Sequence, residues 1–331
     1  MTTTTGDAAA IRTEPSPQCI VCGRPGLPLY EGLTDYLSGT PGRWRMVRCA
    51  DPACGMLWLD PRPLAADLIK AYATYHTHGG SRTRKLSGLW LSAVNSTCKQ
   101  FCHLLEIGSA LGRQRRGLRT MFIGKARPGR LLEVGSGSGR FLNRMRKAGW
   151  SVDGIDFDPV AAARIQERFG IPVAVGSLPE LGYPEGKYDV VAMSQVLEHV
   201  PDPVVLLREC RRVLRAGGRL VLSTPNARSL AHRAYGRHWR GLEPPRHQHV
   251  FSPSALERCA GDCGFREIRR FTLSAESAGI YRASEELRRL QEGGASATAL
   301  VLRSWILRHR EFRETLRDPD AGQDLFLVAT K

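Results

Sequence analysis

Arg130-Leu131-Leu132-Glu133-Val134-Gly135-Ser136-Gly137-Ser138-Gly139-Arg140 is the stretch on which the reading of this 331-residue chain turns. Residues 130–134 are a short apolar run of strand length. Three glycines follow at alternate positions, and a helical pattern opens near Arg140 and reaches Ala148 before Gly149. Glycine permits a sharp turn and lets backbone approach a ligand with no Cβ in between. A helix that begins there points its first N–H groups at whatever is bound. Glycine spacing alone says little. Its place between a strand and a helix predicts the ligand loop of an open α/β sheet.

Downstream, Ser151–Ile155 reads as a second strand ending at Asp156, 21 residues after Gly135. An acid at that place accepts hydrogen bonds from ribose hydroxyls. Nicotinamide-dinucleotide enzymes share this pairing, but their fingerprint is G-x-G-x-x-G. The spacing here is G-x-G-x-G with Arg at 140, which argues against a pyrophosphate cradle. The alternation then continues. Pro159 opens a helix that runs to Phe169 and stops at Gly170, and Val173–Val175 and Tyr188–Met193 read as strands. Asp202-Pro203 starts a helix expected to end at Gly217-Gly218, followed by strand Arg219–Ser223. Ser252-Pro253 starts another helix. Phe265–Leu273 and Asp324–Thr330 read as the last strands, around a helical insertion at about 276–322. Strands alternating with helices predict a mostly parallel sheet over residues 129–331. Leu104-Leu105-Glu106-Ile107-Gly108-Ser109 echoes the later glycine loop, but it lacks the second and third glycines and sits in a helical pattern, so it is discounted.

Upstream, residues 1–14 are Thr- and Ala-rich with no apolar core of a signal peptide, and read as a disordered tail. Residues 15–63 hold two cysteine pairs, Cys19-x2-Cys22-Gly23 and Cys49-x4-Cys54-Gly55. Two cysteine-bearing turns can supply four thiolates to a structural zinc ion, and a closed four-thiolate site leaves no position for chemistry. The other five cysteines, Cys98, Cys102, Cys210, Cys259 and Cys263, read as small core residues. Residues 64–128 look mainly helical, with Leu86, Trp90, Val94, Phe101, Leu104 and Leu105 near helical spacing. The first reading is a helix packed on the downstream domain; a lid or a membrane-surface helix is the sharper alternative.

The formal net charge is +16. From Arg82 to Arg130 there are eleven Lys or Arg against one acid, Glu106. Such a segment is either a solvated face or a surface for anionic partners: nucleotide-linked substrates, phospholipid headgroups or nucleic acid. No apolar run approaches membrane-spanning length, so a soluble cytoplasmic protein is expected.

Taken together, Glu133 to Gly139, Asp156, and the series Tyr188-Asp189-Val190-Val191, Leu197-Glu198-His199-Val200, Asp202-Pro203, Arg212-Val213-Leu214, Gly217-Gly218 and Ser223-Thr224-Pro225-Asn226 resemble the motifs of class I S-adenosylmethionine-dependent methyltransferases. The resemblance covers about residues 129–275 and the final strand. It implies a Rossmann-like seven-stranded sheet in the order 3-2-1-4-5-7-6 with the last strand antiparallel. It also implies a cofactor site. Gly135, Ser136 and Gly137, in the loop closed by Gly139, would lie under the methionine and ribose, with Glu133 toward the amino-acid end. Asp156 would hold the ribose and Phe157 flank the adenine. Ser177 and Leu178 would meet the adenine edge, and Ser194 and Gln195 would face the cofactor. The cysteine pairs, with Leu59-Asp60-Pro61-Arg62-Pro63 and Tyr72–Tyr75, resemble the N-terminal zinc-ribbon module of bacterial methyltransferases acting on nucleotide-linked deoxysugars and related glycan or natural-product intermediates.

Methyl transfer is an in-line displacement at a sulfonium carbon, for which the protein supplies alignment, desolvation and sometimes a base. His199, after strand four, and His247, in the loop after strand five, are the candidate bases; His249 ranks behind them. Arg240 and Arg246 in that loop are candidates for binding a phosphate or carboxylate. The leading expectation is an enzyme acting on an anionic small-molecule acceptor such as a nucleotide-linked sugar. An RNA methyltransferase using the zinc ribbon and the basic connector is the competing reading, against which stands the absence of an Asn/Asp-Pro-Pro-Tyr motif after strand four. A binding module that kept the fold without turnover is the third.

Overall fold

The computed structural model describes residues 10–36, 38–72, 95–102, 104, 106–124, 126–293 and 297–331. Most of the expected tail, residues 1–9, and the Leu86, Trp90 and Val94 part of the expected amphipathic helix lie outside the described residues.

Seven strands form the central sheet: β6 (Arg130–Val134), β7 (Ser151–Asp156), β8 (Val173–Val175), β9 (Tyr188–Ser194), β10 (Leu214–Pro225), β12 (Arg266–Leu273) and β13 (Asp324–Thr330). Their order is β8-β7-β6-β9-β10-β13-β12, which is 3-2-1-4-5-7-6. The pairs from β8 to β10 are parallel, and β13 runs antiparallel to both neighbours. The parallel strands read as unbroken apolar runs because helices cover both faces. Leu131 and Leu132, on opposite faces of β6, are both completely buried, as are Val191 and Leu222. Each such side chain contributes roughly 1.5–3 kcal/mol.

The intervening helices start where side chains cap them. Asp158 accepts from the Val160 N–H before α3 (Pro159–Phe169), and Gly170 closes that helix in the left-handed region. Asp202 accepts from the Val204 and Val205 N–H groups before α4 (Pro203–Val213). Ser252 accepts from the Ala255 N–H before α6 (Pro253–Asp262). Helix α2 (Arg140–Lys147) follows the glycine loop. Earlier in the chain, Ser109 caps α1 (Ala110–Arg119), so residues 106–109 of the discounted echo of the glycine loop are a helix-entry turn. Its Glu106 is buried and bonded to Arg115 and to the fully buried Arg308.

The structure corrects one helix end. Helix α4 stops at Val213, and Gly217-Gly218 lies inside β10, where the pairing with β9 shifts register between Leu214 and Arg219. Gly217 has φ +69, and a Cβ on Gly218 would lie 2.8 Å from the Arg215 carbonyl oxygen. The two glycines serve a strand bulge, not a helix cap. Residues 276–322 hold α7 (Ser277–Glu292) and α8 (Ala297–Thr315). The loop after β10 contains α5 (Leu230–Tyr235) and β11 (His249–Val250).

The N-terminal module is β2 (Gly26–Leu33), β3 (Trp44–Cys49) and β4 (Leu57–Leu59). Its sheet is completed from far downstream: β11 pairs antiparallel with β4, His249 opposite Trp58 and Val250 opposite Leu57. Thr13 and Glu14, expected at the end of the tail, form β1 and pair with β5 (Arg62–Pro63). Cys19, Cys49, Cys54, Met56 and Trp58 share one apolar cluster with Phe251, Leu256 and Cys259. The module is therefore fused to the sheet domain through a common core. Cys210, Cys259 and Cys263 are buried as expected, whereas Cys98 and Cys102 are only half-buried. Among the described residues, no helix is long and apolar enough to cross a membrane.

Candidate active site

The glycine loop is held by the neighbouring strand. Gly135 and Ser136 N–H groups both donate to the Ile155 carbonyl, at 2.8 and 3.0 Å. Gly137 N–H donates to Asp156 Oδ2 at 2.7 Å, while Asp158 N–H donates to Asp156 Oδ1 at 3.0 Å. Asp156 is buried at the end of β7, with its carboxylate tied to the loop. Gly135 has φ +74, and a Cβ there would sit 2.4 Å from Val196 Cγ2. Gly139 has φ +67, and a Cβ there would sit 2.8 Å from the Ile165 side chain. The first glycine admits the turn after β9 to the floor of the cleft, and the third lets α2 pack against α3.

Glu133, at the buried end of β6, has one carboxylate oxygen without a hydrogen-bond partner. Burial, then the nearby Asp156 carboxylate, raises its pKa well above the ordinary range. On the other side of β6, Ser194 Oγ lies 3.0 Å from Ser223 Oγ. Gln195 takes a left-handed φ of +55 and donates its N–H to the Ser223 carbonyl at 2.9 Å. A non-glycine residue in that region is strained, and such strain clusters where a turn must aim a group at a ligand. Phe157 stays 48% exposed and meets Tyr72 edge-on, with centroids 4.9 Å apart. Ser177 is exposed and bonds Glu180 through both its N–H and its hydroxyl. Leu178 is buried in the main apolar cluster, so its side chain packs inward.

The two candidate histidines meet. His199 and His247 stack edge to face with centroids 4.6 Å apart. His199 Nδ1 lies 2.9 Å from Tyr72 Oη and 3.2 Å from the Arg246 carbonyl oxygen. His247 Nδ1–H donates to the Gly241 carbonyl at 2.8 Å. Burial lowers the pKa of both rings; His247 adds to this at His199, and the Glu243 carboxylate only partly offsets it at both. Both are neutral near pH 7, each with a lone pair free, and the lowered pKa makes each a weak proton acceptor. His249, in β11, is buried away from this pair with Nε2 3.3 Å from the Pro201 carbonyl oxygen.

One of the loop arginines is corrected. Arg246 is 1% exposed and donates to Asp35 Oδ2 at 2.7 Å, Thr40 Oγ1 at 3.0 Å, the Ala71 carbonyl at 3.1 Å and Glu243 Oε1 at 3.0 Å. Arg240 is bonded to Glu243. The Arg246 guanidinium is committed to internal carboxylates, whereas Arg240, paired with Glu243 through one nitrogen, stays partly exposed. Burial alone would raise Asp35, but Arg246 outweighs it and holds the carboxyl below its usual range. Sequence reading missed Asp35 and Glu243. Asp35 and Arg246 are separated by 211 positions, so no local pattern links them. Trp239 is buried and donates to Gln323 Oε1 at 3.2 Å, as a core residue.

In the N-terminal module, Cys19 and Cys54 Sγ are 3.7 Å apart and Cys22 and Cys49 Sγ 3.3 Å. All four sulfurs lie within 4.8 Å of one another. A tetrahedral zinc with bonds near 2.3 Å would set sulfurs about 3.8 Å apart. The four thiols fit that ion.

Residues 105–269 match a family model described as a methyltransferase domain. A probable S-adenosylmethionine-dependent methyltransferase of Mycobacterium tuberculosis is 38% identical over 97 residues, 29% of this chain and 35% of that protein. A ubiquinone biosynthesis O-methyltransferase of Xanthomonas oryzae pv. oryzae is 38% identical over 103 residues, 29% of this chain and 43% of that protein. The chain thus spans less than half the length of these curated relatives. Among solved structures, a methyltransferase of Archaeoglobus fulgidus aligns with 69% of this chain and 98% of its own, at 21% identity and a TM-score of 0.46.

Proposed function

We propose, on the premise that residues 105–269 are a class I S-adenosylmethionine-dependent methyltransferase domain, that this chain transfers a methyl group to a small-molecule acceptor. The observation that carries the acceptor class is enclosure. The loop from 226 to 251 is pinned under the cysteine module by Arg246 and by the pairing of β11 with β4. The candidate bases His199 and His247 pack together where that loop meets the turn after β9, a recessed position that suits a compact acceptor better than a nucleic-acid duplex. A nucleotide-linked sugar or related anionic metabolite remains the leading class, drawn from the module's resemblance and the +16 charge.

S-adenosylmethionine fits the cleft on three grounds: the Cβ-free approach at Gly135, the buried Asp156 at the strand end, and the unpartnered Glu133 oxygen. When bound, it supplies an electrophilic methyl on a sulfonium. The chain's part is orientation. Asp156 would accept from the ribose, with Gly135, Ser136, Gly137 and Gly139 shaping the loop beneath it. Glu133 would meet the amino-acid end, and Phe157 would cover the adenine. Ser177 and Leu178 would reach the adenine edge through backbone groups. Ser194 and Gln195 would line the methyl side. His199 or His247, neutral at pH 7, would accept the acceptor's proton. Zinc would be held by Cys19, Cys22, Cys49 and Cys54 as a structural ion, with no open position for reaction.

The test is calorimetric titration of the zinc-loaded protein with S-adenosylmethionine and, separately, with NAD(H), with Asp156→Ala as control. Micromolar binding of the first, lost in the variant, supports the assignment. Binding of NAD(H) instead overturns it. One observation favours RNA as the acceptor: Arg113, Arg116 and Arg119 are all exposed on α1 at three-residue spacing. A steep fall of RNA affinity with salt would bring that reading forward.

A further inference from the structure

Glu198, His199 and His247 each offer a ligand atom, and those atoms lie within 4.8 Å of one another. The first two come from the turn after β9, the third from the loop before β11. Three features set this cluster apart from a chance meeting of polar side chains.

The first is the orientation of the rings. A carbonyl oxygen only accepts, so Nδ1–H of His247 donates to the Gly241 carbonyl, and Nδ1–H of His199 donates to the Arg246 carbonyl with the Tyr72 hydroxyl, 2.9 Å from the same nitrogen, as a second acceptor. Each neutral ring therefore keeps its lone pair on Nε2. Metal-bound imidazoles are held in the same way, with the other ring N–H on a carbonyl or carboxylate. The second is a facing pair of acceptors. His247 Nε2 stands 3.4 Å from Glu243 Oε2, and Glu243 already takes bonds from Arg240 and Arg246. Those two guanidiniums already neutralise Glu243, so the carboxylate can stand beside His247 Nε2 while leaving that nitrogen without a donor of its own. The third is Glu198. It is completely buried, its Oε2 accepts from the Thr224 hydroxyl at 3.0 Å, and its Oε1 has no hydrogen-bond partner. A buried carboxylate oxygen in that state is costly and calls for a cation or a donor.

We propose that Glu198, His199 and His247 form a second metal site, for one divalent transition-metal cation, separate from the four-thiolate site. Bonds of about 2.0–2.2 Å to the nitrogens and oxygen put ligand atoms roughly 3–4.3 Å apart, so closing on an ion takes side-chain shifts under about 1 Å. Two imidazoles and one carboxylate suit zinc, cobalt, nickel or iron(II) over magnesium or calcium. Three protein ligands leave coordination positions open, the pattern of sites that also bind a substrate oxygen. His199 is the least buried of the three, and it lies against Tyr72, whose ring meets Phe157 beside Asp156. The ion would thus stand on the acceptor side of the cofactor cleft. There it would hold an acceptor oxygen and lower its proton affinity, so that the acceptor's proton passes to solvent water and the two imidazoles serve as ligands in place of bases. That role rests on the methyl-transfer reading; metal uptake does not.

The experiment is titration of the zinc-loaded full chain with Co2+, followed by visible spectroscopy and by metal content after gel filtration. The expected result is one equivalent of cobalt beyond the zinc, with weak d–d bands and no near-ultraviolet thiolate-to-cobalt band. His247→Gln and Glu198→Gln should each weaken uptake at least tenfold while His247→Gln leaves S-adenosylmethionine affinity unchanged. The wild-type spectrum decides the matter even where a variant fails to fold. Uptake only with the thiolate band, which marks exchange at the cysteines, overturns the proposal. So does uptake that His247→Gln leaves unchanged. Loss of cofactor binding in the wild-type protein would instead count against the methyl-transfer reading, and the cobalt spectrum would stand apart from it.

Discussion

Replacing Gly135 by alanine should cost the protein roughly 2–5 kcal/mol, divided between its folded stability and its grip on S-adenosylmethionine. Two terms enter. Gly135 sits at φ +74, where an L-residue is strained by about 1–2 kcal/mol. The new Cβ would lie 2.4 Å from Val196 Cγ2, far inside the roughly 3.5–4.0 Å of normal carbon contact. Crowding of that kind costs about 1–3 kcal/mol. Val196 follows Gln195, itself held at φ +55, so the turn has little slack to yield. If the loop holds its place, the cost appears in the melting temperature. If the loop shifts to relieve the contact, it appears in cofactor affinity, at one decade per about 1.4 kcal/mol. Scanning fluorimetry and calorimetry on the same samples read both. Val196→Ala should be mild alone and should return the steric part, though not the dihedral part, when combined with Gly135→Ala. The coupling energy from that cycle should reach at least about 1 kcal/mol. An alanine variant with unchanged melting and unchanged affinity, or a cycle with no coupling, would refute the close contact between residues 135 and 196.

Three further outcomes follow from the same packing. Arg246→Ala should destabilise the fold by about 3–5 kcal/mol in chemical denaturation, because it strands the buried Asp35 carboxylate. Arg246→Lys should recover only part of this, since one ammonium cannot reach Asp35, Glu243 and the Ala71 carbonyl together; full recovery by lysine would contradict the fork. Cys49→Ser or a strong chelator should lower the melting temperature by more than about 5 °C and speed amide exchange in β4 and also in β11, its partner across the module boundary. Exchange confined to residues 15–63 would show that the shared sheet is not cooperative. Burial raises Glu311 to about 7, with Tyr281 and Gln323 as its donors and Asp324, also raised to about 7, beside it. A carboxyl with a raised folded pKa contributes stability that is fully present below its unfolded value and is lost as pH rises toward the folded one. Between pH 4.5 and 7.5 the wild type should therefore lose stability relative to Glu311→Gln, by on the order of 3 kcal/mol. Parallel stability curves for the two proteins would sink that prediction.

The sequence by itself determined the sheet and the glycine loop between its first strand and helix. Strand runs, glycines at 135, 137 and 139, Asp156, and capping residues such as Asp158, Asp202 and Ser252 are all local signals. Each acts within a few residues of itself, so each can be read in place. The four cysteines were legible for a related reason, since thiolate pairs on short turns are a chemical pattern as well as a spatial one. Where a glycine pair had two local uses, at 217–218, the strand pairing of Leu214 with Tyr188 decided between cap and bulge. Only the tertiary structure decided what surrounds the candidate histidines and the loop arginines. It turned Arg246 from a ligand-binding candidate into an internal strut by presenting it with Glu243 and Asp35, the latter 211 positions away. It made residues 249–250 an edge strand of the cysteine module, and it brought His247 against His199 and Glu198. A side chain's charge and reach are written at its own position; what neutralises it in the interior is set by the packing of distant segments.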